Sequence, residues 1–115
     1  KNEKFVLIGG GIGVVPLLGL ADKFDDKDIT FLYTAKEDKK LLYQEKFELW
    51  NERSNFKSYC QNGRFTSEQL SDYLPIGDEY NYIIAGPMGM NISYEKLLKE
   101  KGINKNRIFY EGFNF

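Results

Sequence analysis

The chain has 115 residues, enough for one domain with a single core and near the small end for a complete enzyme. Hydrophobic residues make up 42% and aromatic residues 16%, the balance of a globular chain, and a net charge of −1 with Lys and Arg scattered among Asp and Glu leaves no basic face for a nucleic-acid backbone. One cysteine, Cys60, and no histidine exclude a disulfide framework and leave no zinc or iron–sulfur ligand set, so no metal is expected. A reducing, cytoplasmic compartment is the simplest reading of that cysteine usage. No apolar run has the length to cross a bilayer. The chain opens at Lys1-Asn2-Glu3-Lys4 straight into a strand, without a signal peptide or an initiator Met, as expected of a piece of a longer protein.

In chain order, Phe5-Val6-Leu7-Ile8 is an apolar run bounded by glycines and predicts a buried parallel strand. Gly9, Gly10, Gly11 and Gly13 are expected to allow positive φ and close approach of a bulky ligand. Pro16 suits a first helical turn, so a helix is predicted from Pro16 to Phe24, with Gly19 packed close on the sheet. The free amides and dipole of that helix start make a site for a phosphate anion. Residues 29–35 are rich in β-branched and aromatic types and predict a second strand. After the charged run from Lys36 to Lys40, the spacing of Tyr43, Phe47 and Trp50 predicts an amphipathic helix to Arg53, and residues 55–60 a weaker third strand.

Thr66 and Gln69 have the spacing of a capping box that opens a brief helix before Pro75. Residues 80–85 predict a fourth strand, stopped by Gly86-Pro87. Met90, Tyr94, Leu97 and Leu98 then share a helical face, with Gly102 as its stop and residues 107–110 as the last strand. Alternating strands and helices imply right-handed crossovers, and hence an α/β fold: a three-layer, doubly wound, five-stranded parallel sheet in the order 3-2-1-4-5. Its switch point lies between the first and fourth strands, where ligands bind at the carboxyl ends. Both glycine-rich turns, Gly9 to Gly13 and Gly86 to Met90, fall there.

Together these residues resemble the pyridine-nucleotide-binding domain of the ferredoxin-NADP reductase superfamily. Gly10-Gly11-Ile12-Gly13-Val14-Val15-Pro16 is similar to its Gly-Gly-x-Gly-x-Thr-Pro loop, and Leu41-Leu42-Tyr43 with Glu45 and Phe47 to its second-helix entry. Gly63-Arg64-Phe65-Thr66 is similar to its Gly-Arg-Val/Leu-Thr segment, Gly86-Pro87 with Met90 to its Cys-Gly-Pro-x-x-Met motif, and Arg107-Ile108 with Glu111 and Phe113 to its C-terminal Arg-Ile…Glu-x-Phe. The match runs over the whole chain, residues 1–115, in order. Within the superfamily the ending looks most like bacterial ferric-reductase-like and related flavin-dependent reductases.

The resemblance implies an NADH or NADPH cofactor across the switch point and an FAD on a flavin-binding barrel outside this chain, with hydride passing between them. The domain alone is then not expected to turn over, and any membrane attachment would come through further segments. The amides of Gly11 to Val14 would hold the pyrophosphate, Val14, Val15 and Pro16 would approach the nicotinamide ribose, and Gly86, Pro87 and Met88 would leave space for the nicotinamide. Ala85 and Glu111 are the implied catalytic positions, with Phe113 near the flavin junction and Met90 divided between core and site. Val15 stands where the family usually has Thr, and Ala85 where it usually has Cys, which leaves room for a non-catalytic nucleotide-binding or docking domain. Lys36 and Arg64 compete with Glu37 and Asp38 around the adenosine ribose, with a lean to NADH. The electron acceptor is not identified by the sequence, and Cys60 reads as a strand-end structural residue.

Overall fold

A computed structural model of the chain describes residues 3–77 and 79–110. Strands β1 (Lys4–Gly10), β2 (Asp28–Ala35), β3 (Phe56–Asn62), β4 (Tyr80–Ala85) and β5 (Ile108–Tyr110) form one parallel sheet in the order β3-β2-β1-β4-β5. Helices α1 (Val14–Lys23) and α2 (Gln44–Trp50) cover one face, and α3 (Ser67–Tyr73) and α4 (Met88–Glu100) cover the other. The expected three-layer fold and strand order are therefore observed.

The period of two along β1 builds both cores at once. Phe5 and Leu7 face α1 and α2, where they meet Leu17, Phe31, Phe47 and Phe56. Val6 and Ile8 face α3 and α4, where they meet Leu32, Leu70, Tyr82 and Tyr94. A stretch of strand buried on both faces must be apolar, and Phe5 to Gly10 is, after the half-buried Lys4.

Local chemistry sets the ends of the elements. Thr66 caps α3 with the reciprocal pair the spacing predicts: its hydroxyl accepts from the Gln69 amide at 3.1 Å while the Gln69 carboxamide accepts from the Thr66 amide at 2.9 Å. At the end of α4, Gly102 takes φ +92° and donates to Lys99, while Ile103 donates to Leu98 at 3.2 Å. Leu98 and Ile103 share a core cluster, which closes that turn with an apolar contact.

Several boundaries differ from the sequence expectation. A 3-10 turn at Gly11–Gly13 precedes α1, which starts at Val14, so Pro16 is its third residue and still lies in the first turn. Helix α2 stops at Trp50, because residues 51–53 close a turn in which the Arg53 amide donates to the Trp50 carbonyl. Strand β3 continues past Cys60 to Asn62, drawn on by its pairing with Thr34 and Ala35. Arg107 belongs to a 3-10 turn rather than to the last strand. Gly19 is exposed on α1, and a Cβ there would meet nothing within 4 Å, so it does not serve close packing. Among the described residues no helix is long and apolar enough to cross a membrane.

Two glycine substitutions separate packing from propensity. A Cβ at Gly13 would press into the backbone carbonyl of Ala85. Gly13→Ala should lower the unfolding free energy by about 1–3 kcal/mol through overpacking. Gly19→Ala should raise it by about 0.5–1 kcal/mol, because an exposed helical glycine loses entropy without a packing return. Chemical denaturation of both variants checks the pair.

Candidate functional site

The carboxyl end of the sheet is organised by close contact between the turns that follow β1 and β4. Only Gly11 in the first turn uses positive φ, at +59°. Gly10 and Gly13 are needed for space instead: a Cβ on Gly10 would strike the Met90 sulfur, and one on Gly13 the Ala85 carbonyl. From the other turn, a Cβ on Gly86 would strike the Met90 methyl and lie 3.5 Å from the Gly10 carbonyl. Backbone therefore approaches backbone at the predicted switch point, with the Met90 thioether wedged between Gly10 and Gly86.

Beside this contact opens a crevice of about 270 Å³. Gly10 and Gly11 line it from the end of β1 and the turn after it, Thr34, Ala35 and Lys36 from the end of β2 and the residue after it, Gly63 and Arg64 from the loop after β3, and Pro87 and Met90 from the N-cap and first turn of α4. Lys36 and Arg64 are both exposed and give this mouth two cations. The two loops that carry them are tied together by polar contacts. The Thr34 hydroxyl donates to the Gly63 carbonyl, the Gly63 amide donates to the Ala35 carbonyl at 2.7 Å, and Asn62 Nδ2 donates to the carbonyls of Lys36 and Lys39 at 2.8 and 2.7 Å.

A larger cleft of about 470 Å³ lies at the opposite, amino end of the sheet, among Asp28, Tyr59, Tyr73 and Tyr80. It meets the end of α3 rather than a helix start, so it lacks the donors and dipole that favour an anion.

Of the residues singled out from the sequence, the fold brings Gly10, Gly11, Lys36, Pro87 and Met90 into the crevice. Ile12, Val15 and Met88 lie at the same end of the sheet with exposed side chains, 81%, 52% and 53% accessible. Gly13, Val14 and Gly86 are buried behind the turns, and Pro16 is half-buried. The Val14 amide, expected among the phosphate donors, is already donated to the Gly11 carbonyl within the 3-10 turn. Ala85 pairs with Gly9 and is fully buried in the core beneath α1, so its side chain does not line the crevice. Glu111 and Phe113, together with Phe115, lie outside the described residues.

Sequence reading missed Thr34 and Ala35 as lining residues, and named Gly63 only as part of a motif. The signal was there in part, since the end of β2 must reach the switch point beside β1.

Helix α4 reaches the third loop as well. The Tyr94 hydroxyl is fully buried and accepts from the Phe65 amide at 2.8 Å, which holds the segment just after Arg64. Burial raises the Tyr94 hydroxyl above the ordinary tyrosine range, so it stays a neutral phenol. Tyr94→Phe should cost about 1–3 kcal/mol, the penalty for an orphaned buried amide. Amide exchange at Phe65 should quicken in that variant beyond what the global loss of stability accounts for.

No protein-family model matches the chain. Among curated proteins it is similar to a subunit of the Na(+)-translocating NADH-quinone reductase of Yersinia pestis, 26% identical over 134 aligned positions that take in 97% of this chain and 33% of the relative. Among solved structures it is similar to a flavohemoglobin from Malassezia yamatoensis with bound FAD and heme, with a TM-score of 0.77 and 27% identity over 98% of this chain and 32% of that one. The chain has the nucleotide-binding fold of the ferredoxin-NADP reductase superfamily. The CS-b5R domains of human Ncb5or in the NAD+ form share that fold, with a TM-score of 0.82 and 16% identity over 96% of this chain and 37% of that one. The chain spans about a third of the length of the curated relatives it matches.

Two departures from the superfamily's motifs differ in their surroundings. Val15 is exposed at the start of α1, whereas Ala85 is sealed beneath it. Cys60 is half-buried near the end of β3 and packs against the α1-side core, away from the crevice. Burial, with the Glu48 carboxylate adding to it, pushes its thiol up from 9.0 to about 11. The folded state therefore favours the neutral thiol; this contribution to stability is complete below pH 9 and is lost as the pH rises towards 11. Alkylation by iodoacetamide at pH 8 should be much slower than for a free cysteine, and a rate equal to that of the unfolded chain would refute the placement.

Proposed function

We propose that this chain is the NADH-binding part of a flavin-dependent oxidoreductase, which holds the nicotinamide for hydride transfer to an FAD on another domain. The observation that carries the reading is the crevice at the switch point, where two glycine-rich turns meet and two cations stand at the mouth. The names of the relatives, an NADH-quinone reductase subunit and a flavohemoglobin with bound FAD, support the same chemistry.

The residues present fit a dinucleotide. Gly13 carries no Cβ where the Ala85 backbone comes close, Gly10 and Gly86 none where Met90 packs, and Pro87 gives the start of α4 no side-chain cap. Uncapped amides at a helix start remain available to an anion. The amides of Gly11 and Ile12 open the first turn and are the proposed pyrophosphate donors, with Val15 and Pro16 toward the nicotinamide ribose. Gly86, Pro87 and Met88 leave a flat, low wall for the nicotinamide. Lys36 and Arg64 flank the adenosine end, with Glu37 beside Gly63 positioned to favour a free ribose hydroxyl over a phosphate.

When bound, the nicotinamide supplies the hydride and the flavin accepts it. The work of this chain is to bind and orient. Ile12, Val15 and Met88 form an apolar rim at the same end, suited to the surface of the flavin domain. The reaction takes place on the cytoplasmic side in this reading, and the final electron acceptor belongs to the remainder of the protein. A nucleotide-binding domain without turnover is the second reading, favoured by the burial of Ala85 away from the crevice.

Titration of the labelled protein with NADH and NADPH, followed by backbone amide shifts, tests the site. Shifts confined to residues 10–15 and 85–90 and tighter binding of NADH are expected. Silence at millimolar concentrations of both nucleotides would sink the proposal. Lys36→Ala should weaken NADH about threefold to fivefold, the worth of one exposed charge contact of ~1 kcal/mol. Reduction of the flavin by NADH in the flavin-bearing protein separates the two readings.

A further inference from the structure

We infer that Asn91 is a positioning residue, which fixes the Gly86-Pro87 turn and thereby the α4 side of the crevice. The inference rests on the nucleotide-binding reading for its purpose, though its geometry stands without a ligand.

Asn91 and Thr34 are the buried polar side chains among the described residues, and Asn91 is only 1% exposed. Its Nδ2 donates to the Gly86 carbonyl at 3.0 Å in a buried bond. That carbonyl lies just past the end of β4, whose last pairs among the described residues are Ala85 with Gly9 of β1 and Ile84 with Tyr110 of β5. A buried carbonyl needs a donor, and Asn91 supplies one.

The same side chain is a poor choice for stability alone. Its Oδ1 is buried with no hydrogen-bond partner, and asparagine is an indifferent helix former. A leucine of similar size would avoid both defects on a face that otherwise carries Met90, Tyr94 and Leu98. The polar group is therefore explained by the turn it holds and not by the core it sits in.

Met90, the preceding residue, blocks any side chain on Gly86 and Gly10. Adjacent residues of α4 thus hold Gly86 from two directions, one by volume and one by a directed bond. With the turn fixed, the open amides at the start of α4 keep one aim towards the crevice.

Asn91→Leu tests this. Loss of the unpartnered Oδ1 offsets the orphaned Gly86 carbonyl, so its melting temperature should move by only a few degrees, while the amide order parameters of residues 86 and 88–89 fall, those of residues 10–13 stay as they were, and NADH binds about fivefold to tenfold more weakly, the worth of one hydrogen bond. Should the leucine variant not fold, Asn91→Ala removes the same donor and must lower the same order parameters and weaken NADH alike. Unchanged order parameters at residues 86 and 88–89, or weakened binding that only tracks lost stability, would overturn the inference. If the unchanged protein bound no nucleotide, the functional reading would fail, and the order parameters would still decide the role of Asn91.

Discussion

The contact that the rest of the molecule depends on is the approach of two backbones at the carboxyl ends of β1 and β4. Gly13 leaves no room for a Cβ against the Ala85 backbone, and the side chain between Gly10 and Gly86 is that of Met90. At this contact β4 ends with Ala85 opposite Gly9, one residue before β1 ends. The approach also brings α1 and α4 to start beside one another on opposite faces of the sheet. A larger residue at Gly13 would push the two turns apart, and one at Gly10 or Gly86 would displace the Met90 side chain. The crevice is thus a consequence of how closely the chain can pack against itself, and it exists before any ligand arrives.

One helix then reaches most of what surrounds the crevice. From α4, Met90 fills the slot between the two turns, Asn91 holds the Gly86 carbonyl, and Tyr94 holds the Phe65 amide behind Arg64. The 13 residues of α4 are anchored by its buried stripe and by the closed turn at Gly102. Loops tied to a rigid helix keep fixed positions relative to each other, which is the requirement for reading a long, flexible ligand at several points.

The strands and their order were legible because each is an apolar or β-branched run and the crossover rule leaves one sensible arrangement. The capping box at Thr66 and the stop at Gly102 were legible because their chemistry is local. Tertiary consequences were harder to see. Gly19 has the look of a packing glycine in the sequence, yet the sheet lies on the other side of α1. The burial of Ala85 beneath α1 was in fact implied by the period of two, since Tyr82 and Ile84 face α4. Nothing in the sequence marks Asn91, because its partner is a backbone carbonyl in the turn after β4. The Val14 amide escapes sequence reading for a related reason: a 3-10 turn consumes a donor that a plain helix start would leave free.

The geometry of the rim bears on how the proposed chemistry is shared. A hydride step is served by excluding water from the reacting groups. This chain offers a crevice of about 270 Å³, roughly the size of one part of a dinucleotide, and leaves Ile12 81% and Met88 53% exposed beside it. Under the proposed function a site so open would grip a nucleotide without drying the nicotinamide, and a flavin domain placed over the apolar rim would bring the acceptor and the missing wall together. The same contact would bury Ile12, Val15 and Met88, giving an apolar reason for the two domains to meet at the place where the hydride must cross.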